Sequence, residues 1–303
     1  MQSLLIYNPV SGTSQRRRLA LIQQIAAVLR GHGFDLDIVA TTHQGSAAQQ
    51  VREAIASGVE LVFACGGDGT IHDVLQGVVG TATRLAPIPL GRGNALCREL
   101  RIPLHPLKAA AAYAKTSERV VQVGRCESPS GERYFLLMAG SGPDGALMYR
   151  MLTVARSRLG RWAYAVHAMQ LLFQNRFPKF RVRFQTSDGR CHEVDAVSVM
   201  ALRISNLGGI FPGIARGASL DAGSMRLILV RGPALLGLPL WFASAWLRLE
   251  RWNPLLLRED VTAFHCVGNA IHAQADGEWI GRLPLTARLT EESVTLLLPR
   301  PNA

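Results

Sequence analysis

The run Leu61-Val-Phe-Ala-Cys-Gly-Gly-Asp-Gly-Thr70 carries an apolar strand straight into a turn of glycine, carboxylate and hydroxyl. Gly66, Gly67 and Gly69 lack the β-carbons that would hold a polyphosphate away from the backbone, and their access to positive φ lets successive N–H groups converge on one anion. Asp68 stands inside that turn. A carboxylate beside phosphate is repulsive unless a divalent cation or a transferable proton lies between them, so the residue points to phosphoryl transfer rather than anion storage. Taken alone, Gly-Asp-Gly also makes an ordinary surface turn. Two further runs share the strand-then-turn pattern, Leu4-Leu-Ile-Tyr-Asn-Pro-Val-Ser-Gly12 and Leu85-Ala-Pro-Ile-Pro-Leu-Gly-Arg-Gly-Asn94. Ligands of open parallel sheets bind outside the carboxyl ends of the strands, so three such turns can serve one nucleotide.

Much later in the chain, Ala275-Asp-Gly-Glu278 puts Asp276 and Glu278 on one side of a tight bend between apolar strands, and Gly142-Pro-Asp-Gly145 offers a further carboxylate, Asp144. Transfer of a phosphoryl group to an alcohol needs a fixed nucleotide, a metal to neutralise its charge and a base near the attacking hydroxyl. A solvated turn is the plain alternative for the pair. Arg156, Arg158 and Arg161 follow as a basic helix face that is either solvated or meets phosphate. The eight histidines are scattered, and none joins serine and carboxylate in a hydrolase pattern.

NP-x-SG at 8–12, GGDGT at 66–70 and PLG-x-GN at 89–94, in this order, resemble the diacylglycerol kinase catalytic family, which includes bacterial lipid kinases and the sphingosine and ceramide kinases. The resemblance continues through 140–145, 158–164 and 275–278, and so covers nearly the whole chain. It implies ATP as donor and Mg2+ as cofactor. The implied acceptor is a hydroxyl of a diacylglycerol-like, sphingoid or other long-chain lipid, with a place in phospholipid biosynthesis. On the same ground Asn8, Thr42, Gly66, Gly67, Gly69, Thr70, Gly93 and Asn94 hold the nucleotide, with Thr41 an adjacent rival to Thr42. Glu278 is implied as general base, Asp276 as its support through metal or hydroxyl, and Asp68 as the rival for the base. Asp144 matches a residue that reads the acceptor headgroup or joins the catalytic carboxylates.

Three departures from the family stand out. His72-Asp73 follows the GGDGT turn where relatives end in glutamate, one methylene longer. Arg92 replaces a hydroxyl of the PLG-x-GN turn and adds a cation that can face phosphate. In Leu220-Asp-Ala-Gly-Ser-Met-Arg-Leu227, Ala222 and Arg226 stand where bacterial relatives carry carboxylates for a structural magnesium ion. Asp221 alone is left as a ligand, and a salt bridge from Arg226 is the expected substitute. A kinase acting on NAD also carries GGDGT, but the 89–94 and 276–278 motifs follow the lipid-kinase pattern. A non-catalytic nucleotide and lipid sensor is the reading that the altered metal residues favour and that Asp68, Asp276 and Glu278 oppose.

These motifs need a frame. The 303 residues, 48% hydrophobic, suffice for two domains with separate cores. The first 120 or so alternate strands (4–7, 35–40, 60–65) with helices (15–30, 46–57), with Ser46 as N-cap, Gly58 at C′ and Gly31 closing the first helix. Beyond residue 122 come strands near 119–126 and 133–139, a helix over about 145–174, and β-rich runs at 180–184, 194–205 and 225–230, separated by turns at 187–189, 208–209 and 221–223. The expected fold is an α/β nucleotide-binding domain over 1–122 followed by a β-rich, antiparallel, sandwich-like domain over 123–303. The resemblance implies that the strand at 293–298 returns to the first domain.

The formal charge of +11 calls for an anionic partner. No basic and aromatic interleaving suggests nucleic acid, so an anionic membrane surface is expected, with lipid as substrate. The five cysteines are widely spaced and read as reduced thiols, which with the lack of a leader pattern leads to the expectation of a cytoplasmic, peripherally membrane-associated protein. The longest uncharged stretch, 232–247, is shorter than the roughly 20 residues that span a bilayer. With Trp241, Phe242, Trp246 and Trp252 and the following Arg248 and Arg251, it is either a core helix or an interfacial one.

Overall fold

The computed structural model describes residues 1–9, 15–43, 45–153, 162–174, 177–186, 188–207 and 213–300. Ser11 and Gly12 of the first motif, Arg156, Arg158, Arg161 and the 208–209 turn lie outside these. The chain divides into two compact units, Met1–Val123 with Glu291–Ala303, and Gly124–Thr290.

In the first unit the order is β1 (Gln2–Tyr7), α1 (Gln15–Gly31), β2 (Asp35–Ala40), α2 (Ser46–Ala56), β3 (Leu61–Gly66), α3 (Asp68–Val78), β4 (Arg84–Pro89), α4 (Ala95–Glu99), α5 (Pro106–Ala112) and the start of β5 (Thr116–Ser128). The sheet is parallel, in the order β2-β1-β3-β4, and residues 295 and 296 of the last strand add to β4, also in parallel. Every residue of β3 is buried, as a strand covered by helices on both faces requires. Strand order reverses between β1 and β3, so Asn8 and Gly67, which follow their carboxyl ends, sit at the topological switch point.

The helix ends differ in detail from expectation. Gly58, at φ 96°, follows α2 and donates to Ile55 O, as a C′ glycine does. The N-cap of α2, however, is Gly45 at φ 83°, a left-handed turn that serine adopts poorly. Ser46 is instead the first helical residue, and its hydroxyl accepts the amides of Thr42 and His43. Likewise Gly31 stays within α1, and the chain turns at Gly33, φ 86°.

The second unit contains the end of β5, β6 (Gly131–Phe135), β7 (Met138–Ser141), α6 (Pro143–Thr153), α7 (Trp162–Gln174), β8 (Phe180–Thr186), β9 (Cys191–Ala196), β10 (Ser198–Leu202), β11 (Met225–Val230), α8 (Ala234–Leu247), a 3-10 turn (Glu250–Trp252), β12 (Leu256–Val267), β13 (His272–Ala275), β14 (Glu278–Arg282) and most of the first part of β15 (Leu285–Pro299). Its strands are antiparallel, in the order β14-β13-β7-β10-β11-β12-β15, with β8 added to β12 and β9 to β8. Alternation sets two cores. Val199, Ala201, Leu227 and Leu229 face an interior shared with Phe135, Phe184 and Phe264, while Met200, Leu202, Ile228 and Val230 face α8. In place of the one helix expected over about 145–174 there are two, α6 and α7, and residues 154–161 between them lie outside the described residues.

Candidate functional site

Strand β3 ends at Gly66, whose carbonyl accepts the amide of Leu90 at 2.8 Å, so the turns after β3 and β4 start side by side. They then touch. A β-carbon on Gly91 would stand 2.5 Å from Gly67 Cα, and one on Gly93 would stand 2.9 Å from Asp68 Oδ2. Two bare backbones thus meet at the N-terminus of α3, where the first-turn amides and the helix dipole favour an anion. Gly69 and Thr70 belong to that first turn, and Thr70 is buried beneath Gly66. Asp68 opens the helix and accepts the Leu96 amide at 3.4 Å.

Asn94 adopts the left-handed conformation, with φ 50° and ψ 49°. Its Oδ1 accepts the Gly91 amide at 3.0 Å and its Nδ2 donates to the Gly91 carbonyl at 2.9 Å, which locks the 91–94 loop. Arg92 is exposed at the loop tip, and Asn8 is half-buried just after β1. Of the two threonines after β2, Thr41 is buried and donates its amide to Tyr7 O, whereas Thr42 is exposed. Asp73, whose shorter side chain set it apart from relatives, accepts the Gly45 amide at 2.9 Å and so secures the start of α2.

In the second unit Asp276 and Gly277 have φ of 49° and 82°. Two successive positive φ values form the tight loop for which Asp-Gly is suited, and it joins β13 to β14. Asp276 is buried. Its Oδ2 accepts the Leu136 amide at 2.8 Å, and its Oδ1 accepts those of Leu137 at 2.7 Å and Met138 at 2.9 Å. Three backbone donors thus give this carboxylate a structural task beside the support through metal or hydroxyl that the resemblance implied. It anchors the hairpin to the link between β6 and β7. That link also interrupts the strand expected over 133–139, since its amides turn to Asp276 rather than to a neighbouring strand. Glu278 follows the loop as the first, half-buried residue of β14.

Gln274, buried on β13, accepts the Gly277 amide at 3.0 Å and donates to Asp144 Oδ2 at 3.2 Å. It connects the Glu278 hairpin to Asp144 in the first turn of α6. Asp144 lies over Gly140, where a β-carbon would stand 2.4 Å from Oδ2. Its Oδ1 is enclosed and has no hydrogen-bond partner among the described residues. Burial pushes this carboxyl up to about 6, against the opposing hydrogen bonds from Gln274 and the Gly145 amide. Next to Glu278, Trp279 donates to His272 Nδ1 at 3.0 Å, and Tyr149 stacks on His272 at 4.5 Å. Burial, and then Arg282, lowers the His272 pKa. A lone glutamine or tyrosine carries no spacing signal, so Gln274 and Tyr149 were not legible as site residues.

Asp221 is exposed, and among the described residues no three His, Cys, Asp or Glu side chains gather to hold a metal. Arg226 instead forms a two-pronged pair with Asp260, at 2.6 and 3.0 Å. The fully buried Arg203 donates to Leu220 O at 2.8 Å, its pKa lowered to about 10 by burial against the opposing charges of Asp276 and Asp221. Asp221 as a structural-metal ligand is thus unsupported: guanidinium groups prop this turn.

Residues 2–126 match the family model described as the diacylglycerol kinase catalytic domain. The chain is similar to a diacylglycerol kinase of Bacillus subtilis (strain 168), 28% identical over 286 residues, covering 92% of this chain and 90% of that protein. It is also similar to one of Staphylococcus carnosus (strain TM300), 25% identical over 301 residues, covering 98% and 94%. The crystal structure of a diacylglycerol kinase from Bacillus anthracis str. Sterne shares the fold, with TM-score 0.73, 24% identity and coverage of 99% and 97%.

Proposed function

We propose, on the premise that residues 2–126 belong to the diacylglycerol kinase catalytic family, that this chain is an ATP-dependent lipid kinase. It transfers the γ-phosphoryl group to a hydroxyl of a diacylglycerol-like, sphingoid or other long-chain lipid. The observation that carries the reading is the backbone contact between the two glycine turns with Asp68 beside them at the N-terminus of α3.

The amides of 67–70 and the locked 91–94 loop cradle the phosphates, Arg92 adds positive charge at the rim, and Asn8 and Thr42 flank the nucleotide. Asp68 fits a magnesium ion that takes most of its ligands from phosphate and water, as one or two carboxylates suffice for that ion. When bound, Mg2+ neutralises the charge of the triphosphate. Glu278 accepts the proton of the acceptor hydroxyl, and Asp276 and Gln274 fix the hairpin that presents it. Asp144, tied to that hairpin through Gln274, is the residue that the resemblance assigns to the polar end of the acceptor.

The test is ADP release from Mg-ATP in the presence of mixed vesicles containing diacylglycerol, sphingosine and phosphatidylglycerol. Lipid-dependent release should fall by at least ~100-fold in Glu278→Ala and in Asp68→Ala. Near-normal turnover in both variants would refute these roles, and ATP binding without turnover on any lipid would favour a sensor.

A further inference from the structure

Apart from Ser244, helix α8 is apolar around its circumference, but it buries only one side. Leu238, Trp241 and Ala245 pack on β10 and β11. Leu235, Leu236, Leu240, Trp246 and Leu247 are exposed, Trp246 by 74%. At about 100° per residue, all of them, with Pro239 and Ala243, fall within an arc of about 140°. No polar side chain interrupts that arc. Helix α7, packed on α8, exposes Val166, Met169 and Phe173 at the three- and four-residue spacing of one helical stripe. Trp252, 69% exposed, continues the apolar surface beyond α8. Large exposed apolar side chains gathered on adjoining helices mark an interaction site.

The rim identifies the occupant. Between residues 231 and 256 the charged residues are Arg231, Arg248, Arg251 and Glu250. The three arginines are exposed, whereas Glu250 is buried and turned towards Arg216 at 3.7 Å and Arg258 at 4.0 Å. Arg251 lies over the Trp252 ring at 5.0 Å. A second copy of the chain would set this cationic rim against itself, since a two-fold contact pairs a patch with its own kind. An anionic lipid surface meets both parts of the pattern: acyl chains take the leucines, tryptophan rings sit at headgroup depth, and arginines meet phosphate. No described helix is long and apolar enough to cross a membrane. At 14 residues α8 measures about 21 Å, short of the ~30 Å hydrocarbon layer, so it lies in the plane of the interface.

We propose that the exposed faces of α7 and α8, with Trp252, are the surface on which this chain docks to an anionic bilayer. The proposal rests on the lipid-kinase reading for the need to reach a bilayer, and on the geometry above for the place. The test is co-flotation of the full chain with phosphatidylcholine vesicles with and without phosphatidylglycerol, free of ATP and diacylglycerol. Binding should require phosphatidylglycerol. The double variant Trp246→Ser, Trp252→Ser should weaken it by at least ~10-fold. Arg248→Glu with Arg251→Glu should do the same and remove the preference for phosphatidylglycerol. Both variants should keep wild-type turnover on a dispersed short-chain diacylglycerol and a wild-type melting curve. Vesicle binding unchanged in the variants, absent in the wild type, or replaced by a dimer that the tryptophan variant dissolves would overturn the proposal. Vesicle binding that follows this pattern in a protein without kinase turnover would sink the kinase reading alone and leave the docking surface standing.

Discussion

Asp144 is the residue whose surroundings most alter its chemistry. Its carboxyl is raised to about 6 by burial, above the ~3.9 of an unfolded chain. The folded state therefore binds the proton more tightly than the unfolded one. The penalty for burying the charge is absent below about pH 4 and grows as pH rises through about 6, so stability falls across that window. Asp144→Asn should raise unfolding stability at pH 7 by about 1–3 kcal/mol while lowering lipid phosphorylation, and the gain in stability should vanish near pH 4. Denaturant unfolding at the two pH values measures this, and an equal gain at both would show that desolvation is not the cause. Asp276 shows where residue-level reading stops. Its type and its glycine neighbour announced a bend, but the three amides that occupy its oxygens come from 136–138, remote in sequence. Asn94, by contrast, closes its own loop through a near neighbour, Gly91.

Among the elements, the contact of the turns after β3 and β4 makes the sharpest demand. A methyl on Gly91 would meet the backbone of Gly67, which has no rotamer with which to yield. Gly91→Ala should cost about 1–3 kcal/mol of stability and weaken ATP binding by at least ~10-fold. Gly31→Ala, with nothing within 4 Å of the added carbon, should instead stabilise α1 by about 0.5–1 kcal/mol and leave ATP affinity alone. Calorimetric titration of ATP distinguishes them, and equal affinities in the two variants would rule out the contact as a determinant of the nucleotide site. The strands and helices of the first unit were legible because a buried parallel strand and an amphipathic helix have distinct periods. Their ends were less so. The α2 N-cap shifted to Gly45 because Asp73, 28 residues away, satisfies the Gly45 amide, and no local pattern encodes that partner.

For the molecule as a whole, the α/β plus β-rich antiparallel class was legible from the change in rhythm after residue 120, and relatives at 25–28% identity extend over nearly all of the chain. Composition left α8 as either a core helix or an interfacial one. The core reading holds for one side, because β10 and β11 present a second apolar face that a helix must cover, and the apolar residues left over on the other side are exposed and form the docking face proposed above. The basic charge becomes informative only when placed: the 231–256 stretch shows cations to solvent and turns its carboxylate inward.

The arginines around the Asp221 turn have a consequence for how the protein meets a shortage of divalent cation. Arg203, bonded to Leu220 O, and the Arg226–Asp260 pair supply covalently tethered charge at the place for which the family resemblance implied a structural ion. A chelator should therefore halt phosphoryl transfer yet leave the melting temperature unchanged, and a marked drop in melting temperature on chelation would contradict this. On the proposed kinase reading, magnesium starvation would idle such a protein intact instead of unravelling it, and work would resume without resynthesis when the ion returns.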